Sequence, residues 1–302
     1  MTGAAARVPT GTLRLWLLAI RPRTLPASIA PVLVGTALAV HDGVFQPLRF
    51  AAALAGSILI QIGTNLANDY SDARRGADRE DRLGPVRVTA GGLMPPRRVL
   101  AGAWVAFAAA VGCGLYLTAV AGIWVLVIGV ASILAGVLYT GGPRPYGYAG
   151  LGELFVFVFF GLVAVGGSYY VQTERLSTAS LLLAVPVGLL AAAILVVNNV
   201  RDLESDRRAG KITLAVRLGR RHTRRLYMAC VATALVLPGV YVAAGELPPP
   251  TLASLLAAPL APAPLRAVAS ATDGPTLNQA LAATGRLLAA HSALLAVGLL
   301  VA

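Results

Sequence analysis

Two stretches of the sequence combine carboxylate and amide side chains at spacings that could bind a divalent metal ion. In a helix, residues at i, i+3, i+4 and i+7 lie on one face, so each stretch would present a stripe of oxygen ligands. Mg²⁺ prefers hard oxygen ligands, uses one or two carboxylates and completes its shell with water and substrate phosphate. The first motif contains Asn65, Asn68, Asp69 and Asp72, and the second motif contains Asn198, Asn199, Asp202 and Asp206.

Positively charged side chains accompany both motifs. Arg201 and Lys211 belong to the second segment, where they are placed to bind phosphate oxygens. Most of the other nearby arginines are expected to anchor helix ends at the membrane surface. Carboxylates for a metal and cations for phosphate, next to apolar helices, predict a site for a lipid diphosphate.

The two segments also share a spacing with each other. Both fit Asn-x2-(Asn/Asp)-x3-Asp-x3-Gly, which ends at Gly76 in the first segment and at Gly210 in the second. The match is weak support for an internal duplication, and it is consistent with two halves of the chain that converge on one site.

The elements that must position these residues are membrane-spanning helices. The chain is 57% hydrophobic and 13% charged, with a mean hydropathy of +0.74, which is typical of a polytopic membrane protein. We expect an all-α bundle of about nine spans around a central cavity that opens near the cytoplasmic side. The candidate spans are 24–41, 48–67, 98–119, 123–141, 151–171, 180–199, 223–244, 250–265 and 284–302.

The distribution of positive charge predicts the orientation. If the N-terminus is cytoplasmic, all of the 25 Lys and Arg residues except Arg49 and Arg175 lie on the cytoplasmic side, as the positive-inside rule expects. We therefore predict a multi-pass plasma-membrane protein with one domain over residues 1–302. Its cytoplasmic segments would be an N-terminal stretch, 1–20, and two active-site loops, 65–97 and 198–222.

The net charge of +12 does not indicate nucleic-acid binding. The basic residues lie in loops between spans and lack the interleaved aromatic side chains that stack on bases. Nucleic acid is excluded as a partner, and the lipid bilayer is the expected environment.

Four sequence blocks resemble the UbiA-type superfamily of intramembrane prenyltransferases. Within that superfamily, YTGGPRPYGY and KITLAVRLG are most similar to the branch that prenylates 1,4-dihydroxy-2-naphthoate. The resemblance covers about two-thirds of the chain, and residues 220–302 add only apolar helices to it. The blocks are Arg21–Pro26, Asn65–Asp78 continuing into Gly84–Val88, Tyr139–Tyr148 with Gly150–Glu153, and Asn198–Asp202 continuing through Lys211–Gly219.

The resemblance implies a role for each matching residue. Four aspartates would hold Mg²⁺ that bridges the diphosphate, namely Asp69, Asp72, Asp202 and Asp206. Neighbouring ligands or substrate contacts would be Asn65, Asn68, Asn198 and Asn199, with Asp78 in support. The residues expected to contact diphosphate are Arg23, Arg201 and Lys211, and Tyr139 would face the cavity as a catalytic residue. Arg144 would also bind substrate; it stands where the family often has Lys, and these two cations are not interchangeable.

The implied reaction is Mg²⁺-dependent transfer of a polyprenyl group from a polyprenyl diphosphate to 1,4-dihydroxy-2-naphthoate. Loss of the acceptor's carboxylate would give demethylmenaquinol for menaquinone biosynthesis. One alternative is an enzyme of the same superfamily with another acceptor, such as 4-hydroxybenzoate, heme or a sugar phosphate. A divalent-cation transporter is a second alternative, disfavoured because arginine clusters beside the acids would repel cations.

Overall fold

The computed structural model describes residues 11–77 and 83–302, and within those ranges it contains helices and connecting turns but no β-strand. A π-helical segment, Phe157–Val163, joins α6 to α7, and a 3₁₀ helix, Pro249–Leu260, precedes α10. The predicted all-α class is therefore confirmed. The α-helices are α1 (Thr12–Ile20), α2 (Pro26–His41), α3 (Pro47–Arg74), α4 (Pro96–Ala121), α5 (Trp124–Leu138), α6 (Gly152–Val156), α7 (Ala164–Thr173), α8 (Thr178–Arg208), α9 (Leu214–Ala243), α10 (Pro262–Ser270) and α11 (Gly274–Leu300).

Six helical stretches of the described chain are long and apolar enough to cross a membrane: α3, α4, α6 to α7, α8, α9 and α11. Two further pairs could each form one bent span, which raises the number to eight: residues 12–24 with α2, bent by 51°, and 249–260 with α10, bent by 44°. The ninth candidate, α5, has only 15 residues. The polytopic class is confirmed, whereas the count of nine spans is not.

Proline marks where several of these helices begin. Pro26, Pro47, Pro96 and Pro262 each occupy the first position of a helix. At that position the missing N–H would have had no intrahelical partner, and the fixed φ of proline already suits a helix. These prolines place the breaks between apolar stretches, including the two bends.

The second motif lies on the most enclosed helix of the bundle. In α8, 72% of the apolar window is buried inside the protein, compared with 28% in α3. The π-helical segment packs closely against α8 at Gly161, where glycine is required because a Cβ would lie 2.8 Å from the Cα of Gly188. Small residues at such crossings allow apolar helices to pack through dispersion contacts. The apolar part of α8 is thus more enclosed than that of α3, whereas the aspartates of both motifs are buried.

The two motif helices, α3 and α8, end in the same way. Each turns at a glycine with positive φ, +65° at Gly76 and +72° at Gly210. The amide that follows each glycine closes a Schellman turn onto the carbonyl of the last aspartate of its motif, which explains the shared Asp-x3-Gly spacing as a helix ending. The two closures are Ala77 to Asp72, 3.0 Å, and Lys211 to Asp206, 2.9 Å.

Candidate active site

The two motifs, which are more than 120 residues apart in the chain, line one cavity of about 370 Å³. This active-site cavity places carboxylate, amide and ammonium groups from α3, α8 and the turn after α8 around a common space. Of the residues predicted from sequence, it is lined by Asn65, Asn68, Asp72, Tyr139, Asn198, Asp202, Asp206 and Lys211.

The remainder of the active-site cavity is mostly apolar and passes between α3, α4, α5 and the α6–α7 segment. Many of its side chains are small, which leaves room for a bound group. Such a wall suits a hydrocarbon chain and keeps water from the polar end. Its residues include Ala52, Gly56, Ala110, Gly114, Gly129, Phe159, Ala164 and Gly167.

Asp72 is the first-motif carboxylate that faces the cavity, and it is 1% exposed. The Tyr148 hydroxyl donates to its Oδ1 at 2.8 Å, and Arg87 Nη2 donates to its Oδ2 at 3.3 Å. Lys211 Nζ lies 3.7 Å from the same Oδ2. A buried carboxylate is costly without hydrogen-bond or ion-pair partners, and these three groups supply them. They also bring two cations to the point where an anionic substrate would meet the motif.

The Asp69 carboxylate contacts the turn after residue 83 instead of the cavity. Its Oδ1 accepts a hydrogen bond from the Thr89 amide at 3.0 Å, and its Oδ2 accepts one from the Val88 amide at 3.3 Å. Arg21 Nη2 is 4.0 Å from Oδ2. The carboxylate therefore fastens the turn after residue 83 to α3, and Asp69 does not line the active-site cavity. A metal-binding role for Asp69 stays a prediction.

In the second motif, Arg201 is hydrogen-bonded to neighbouring side chains. Its Nε and Nη2 donate to both carboxylate oxygens of Asp202, at 2.8 and 2.6 Å. Nη2 also donates to Asn198 Oδ1 and Nη1 to Asn278 Oδ1, each at 2.7 Å. Arg201 is 2% exposed and does not line the cavity. Its observed contacts fix the orientation of Asp202, and direct binding of diphosphate by Arg201 stays a prediction.

The two amides of the first motif connect α3 to neighbouring segments. Asn65 Nδ2 donates to the Ile20 carbonyl at 2.8 Å and to Thr24 Oγ1 at 3.1 Å, which holds the turn after α1. Asn68 Oδ1 accepts from Thr140 Oγ1 at 2.8 Å, which holds the segment after α5. Both asparagines therefore assemble the cavity wall as well as lining it.

Tyr139 lines the cavity and lies close to Gly147 and Gly152, where an added Cβ would come within 2.7 and 3.1 Å of its ring. The ring position therefore depends on the small residue at Gly147. The Tyr146 ring meets Tyr139 edge-on at 5.5 Å, and the Tyr146 hydroxyl donates to the Ala135 carbonyl at 2.8 Å. Burial raises the pKa of the Tyr146 phenol, so it stays a protonated donor.

Asn199 lies beside the cavity rather than in it. Its Nδ2 donates to Glu153 Oε1 at 2.8 Å, and both side chains are buried. The other carboxylate oxygen of Glu153 makes no hydrogen bond within the described residues. Asn199 therefore positions the acid at the start of α6 against α8.

The remaining predicted residues lie outside this cavity or outside the described chain. Arg144 is exposed in the turn after α5, and Arg23 is exposed and lines a different cavity. Asp78 lies outside the described residues. Contact of Arg23 with diphosphate and of Arg144 with substrate stay predictions. Among the described residues, the arginines that line the active-site cavity are Arg21 and Arg87.

Four residues of the site were not singled out from the sequence. Arg21, Arg87 and Tyr148 all belong to the quoted blocks, but no spacing rule distinguishes the side chains that face a cavity from those that face solvent. Asn278 lies beyond the last block, and no motif marks it.

Among the described residues, no three His, Cys, Asp or Glu side chains come close enough together to form a metal site by themselves. The acids that line the cavity are shared between two helices and interspersed with amides. A metal held here would need oxygen ligands from a bound substrate or water, which is the mode Mg²⁺ commonly uses.

Comparison with known sequences identifies the class. The chain belongs to the UbiA prenyltransferase family, whose sequence model matches residues 28–300. The predicted superfamily is therefore confirmed.

Two curated relatives carry the same name. The chain is 46% identical over 272 residues to the 1,4-dihydroxy-2-naphthoate octaprenyltransferase of Mycobacterium tuberculosis. The aligned region covers 89% of this chain and 91% of the relative. The chain is also 46% identical over 222 residues to the enzyme of that name from Escherichia coli, with 72% of each chain covered. The predicted branch is confirmed by these relatives.

The fold matches solved structures of the family. A UbiA homolog from Archaeoglobus fulgidus, bound to GPP and Mg²⁺, superposes with a TM-score of 0.63 at 15% identity, covering 93% of this chain and 99% of the homolog. At that identity the likeness shows the shared helical fold.

Proposed function

We propose that this protein transfers a polyprenyl group from an allylic polyprenyl diphosphate to 1,4-dihydroxy-2-naphthoate. The acceptor loses its carboxylate, and the product is demethylmenaquinol for menaquinone biosynthesis. The observation that carries the proposal is one cavity with an acidic, cation-flanked end formed by both motifs and an otherwise mostly apolar wall. The names of the two curated relatives support the choice of acceptor.

The residues at the polar end fit a divalent metal. Asp72, Asp202 and Asp206 all line the cavity and would hold Mg²⁺ together with neighbouring amide oxygens. When bound, Mg²⁺ supplies positive charge that stabilises the departing diphosphate. Mg²⁺ is also the ion named with the Archaeoglobus fulgidus homolog.

The cations at the polar end would bind the diphosphate oxygens. Lys211 and Arg87 both line the cavity and both lie close to Asp72. An ammonium acts as a point charge for phosphate, and a guanidinium can bind two oxygens at once. Together they hold the leaving group at the acidic end and direct the prenyl chain along the apolar wall.

The apolar wall protects the reaction from water. As the allylic C–O bond breaks, its electron pair leaves with the diphosphate, and the electron-deficient prenyl carbon must meet the acceptor ring before it meets water. The electron-rich ring then forms the new C–C bond and releases its carboxylate as CO₂. Small side chains such as Gly129 and Gly167 leave space for both partners along this wall.

The orientation that we propose places the N-terminus and both motifs on the cytoplasmic side of the plasma membrane. The two arginines assigned to the outer side each face an acid at that end of the bundle. Arg49 lies 2.9 Å from Glu174, and Arg175 lies 3.8 Å from Asp42. Both outer arginines thus have a local acidic partner, and all the other Lys and Arg residues lie on the proposed cytoplasmic side, as the positive-inside rule expects.

A direct assay tests the activity and the acceptor together. Membranes that contain the protein are supplied with an allylic polyprenyl diphosphate, Mg²⁺ and either 1,4-dihydroxy-2-naphthoate or 4-hydroxybenzoate. We expect a prenylated, decarboxylated product from the naphthoate alone, and loss of that product when EDTA removes the metal. Product from 4-hydroxybenzoate with none from the naphthoate would overturn the acceptor assignment.

A further inference from the structure

A second cavity lies apart from the active site, between the turn that precedes α2 and the N-terminal half of α11. We call it the arginine cavity, because Arg23 and Arg286 line it together with the amide side chains of Asn278 and Gln279. The turn is seated closely on α11, since a Cβ on Gly285 would lie 3.3 Å from the Arg23 carbonyl oxygen. The arginine cavity is therefore a feature of the packed structure.

The chemistry of this cavity favours an anion. None of its lining residues within the described chain is acidic, and both arginines are exposed. Among the described residues, neither guanidinium makes a hydrogen bond or an ion pair. Two cations that share a cavity repel each other unless an anion lies between them. Phosphate oxygens are well matched to paired guanidinium groups and amide N–H donors.

The position of the cavity indicates where the phosphate comes from. Arg23 directly precedes the first apolar span, and Arg286 lies near the start of the last predicted span, 284–302. On the same face of α11, Ala293, Val297 and Leu300 follow at i+7, i+11 and i+14, and all three are exposed. An apolar stripe that starts at a cationic cavity is suited to a lipid with its headgroup at the arginines and its acyl chain along the helix.

We propose that the arginine cavity binds the phosphate group of an anionic phospholipid from the surrounding bilayer. Basic pockets between membrane helices commonly bind anionic headgroups. The arginine cavity is separate from the active-site cavity, so this proposal assigns Arg23 to the lipid headgroup rather than to the diphosphate. The proposal does not depend on prenyl transfer.

The side chain of Asn278 connects the arginine cavity to Arg201 of the second motif. Asn278 lines the cavity and accepts a hydrogen bond from Arg201 Nη1 at 2.7 Å. Arg201 in turn holds both carboxylate oxygens of Asp202. A phosphate that contacts Asn278 would therefore help to keep the Arg201–Asp202 pair in place.

Lipid binding to the purified full-length protein tests the proposal without any activity measurement. Native mass spectrometry and thermal unfolding in detergent are measured with phosphatidylglycerol, with phosphatidylcholine of the same acyl chains, and with inorganic phosphate. We expect phosphatidylglycerol alone to be retained and to raise the unfolding temperature. Arg286→Gln should weaken that binding about fivefold, the change expected when one cation near a membrane surface is removed.

The matched control is Arg98→Gln, which removes the same charge from an exposed position at the start of α4. Its binding of phosphatidylglycerol should equal that of the wild type. Equal binding by Arg286→Gln and the wild type would overturn the proposal, as would equal retention of phosphatidylcholine. If inorganic phosphate alone gave the same stabilisation, the cavity would be a site for free phosphate and the lipid assignment would be wrong.

Discussion

The acidic motifs of α3 and α8 have the same backbone ending but different partners for their carboxylates. In the first motif, Asp72 faces the cavity among two cations and a tyrosine, whereas Asp69 is turned toward loop amides. In the second motif, Asp202 and Asp206 both line the cavity, and Asp202 is held by Arg201. The repeated spacing therefore specifies a helix end and leaves the electrostatic role of each acid to its surroundings.

The difference follows from where each helix lies. α8 is enclosed by the bundle, and its Asp202 is paired with Arg201 of the same helix. α3 is less enclosed, and its acid is neutralised by groups that come from other segments, Arg87 and Lys211. We therefore expect the partners of the first-motif acid to rearrange more readily when a substrate binds, and α8 to provide a fixed wall.

The largest effect is expected from neutralising the first-motif acid in the cavity. Asp72→Asn keeps an oxygen that can accept from Tyr148 but loses the charge that we propose to bind the metal. Removing a preorganised electrostatic contact typically lowers turnover on the order of 10²–10³-fold. The measurement is the initial rate of prenyl transfer in membranes, normalised to inserted protein.

Glu204→Gln is the control for that variant, because Glu204 is an exposed acid within the second segment that pairs with Arg207. It should keep near-normal turnover. Near-normal turnover in Asp72→Asn would show that the first motif does not hold the metal through this residue.

A large loss of stability is expected from breaking the buried pair in the second motif. Arg201→Gln leaves the Asp202 charge buried without its bidentate partner, and such a change typically costs about 3–5 kcal/mol. The midpoint of unfolding in an SDS titration should fall clearly. Arg207→Gln, at an exposed arginine of the same helix, should change it very little. Equal midpoints for the two variants would contradict the fixed-wall interpretation of α8.

An intermediate effect is expected from Asp69, which the sequence alone did not distinguish from Asp72. Asp69→Asn places an amide N–H₂ near two backbone donors, and one of them loses its acceptor. Such a buried unsatisfied donor costs about 1–3 kcal/mol. Hydrogen exchange at the amides of Val88 and Thr89 should accelerate, while Asp72→Asn should leave it unchanged. Unchanged exchange with a loss of turnover equal to that of Asp72→Asn would instead favour Asp69 as a metal ligand.

A smaller effect is expected from Lys211, the only lysine in the sequence. Lys211→Met should weaken diphosphate binding about tenfold, the loss expected for one charged hydrogen bond. An amine-reactive reagent can modify only Lys211 and the N-terminus, so peptide mapping reports on this side chain directly. Inorganic diphosphate with Mg²⁺ should protect Lys211 from modification, whereas sulfate at equal ionic strength should not. Equal modification in both solutions would remove Lys211 from the diphosphate site.

The convergence of the two motifs could be predicted from sequence because it depends on short-range rules. Helical spacing puts Asp202 and Asp206 on one face, and the positive charges that follow each motif assign both to the same side of the membrane. The number of spans could not be predicted reliably. Proline begins α2 and α10, and each of these helices is bent relative to the apolar stretch before it, by 51° and 44°. Hydropathy alone does not show whether such a bent pair of helices crosses the membrane once.

The partners of individual site residues could not be predicted, because they come from distant parts of the chain. Asp69 turns away from the cavity because the amides of Val88 and Thr89, 19 and 20 residues later, fold back onto it. Asn278 reaches Arg201 across 77 residues, from a helix that carries no motif. Each contact is set by the packing of helices rather than by local spacing.

The smallest effect is expected where the two motifs are alike. Gly76 and Gly210 have positive φ, and a Cβ at either position would meet no atom within 4 Å. Alanine there would therefore cost only the left-handed backbone conformation, about 1 kcal/mol in each case. Gly76→Ala and Gly210→Ala should lower the unfolding midpoint by similar small amounts and leave turnover nearly unchanged. A much larger loss in Gly210→Ala would mean that the ending of α8 also positions Lys211 for catalysis, and the two motifs would then differ in backbone as well as in charge.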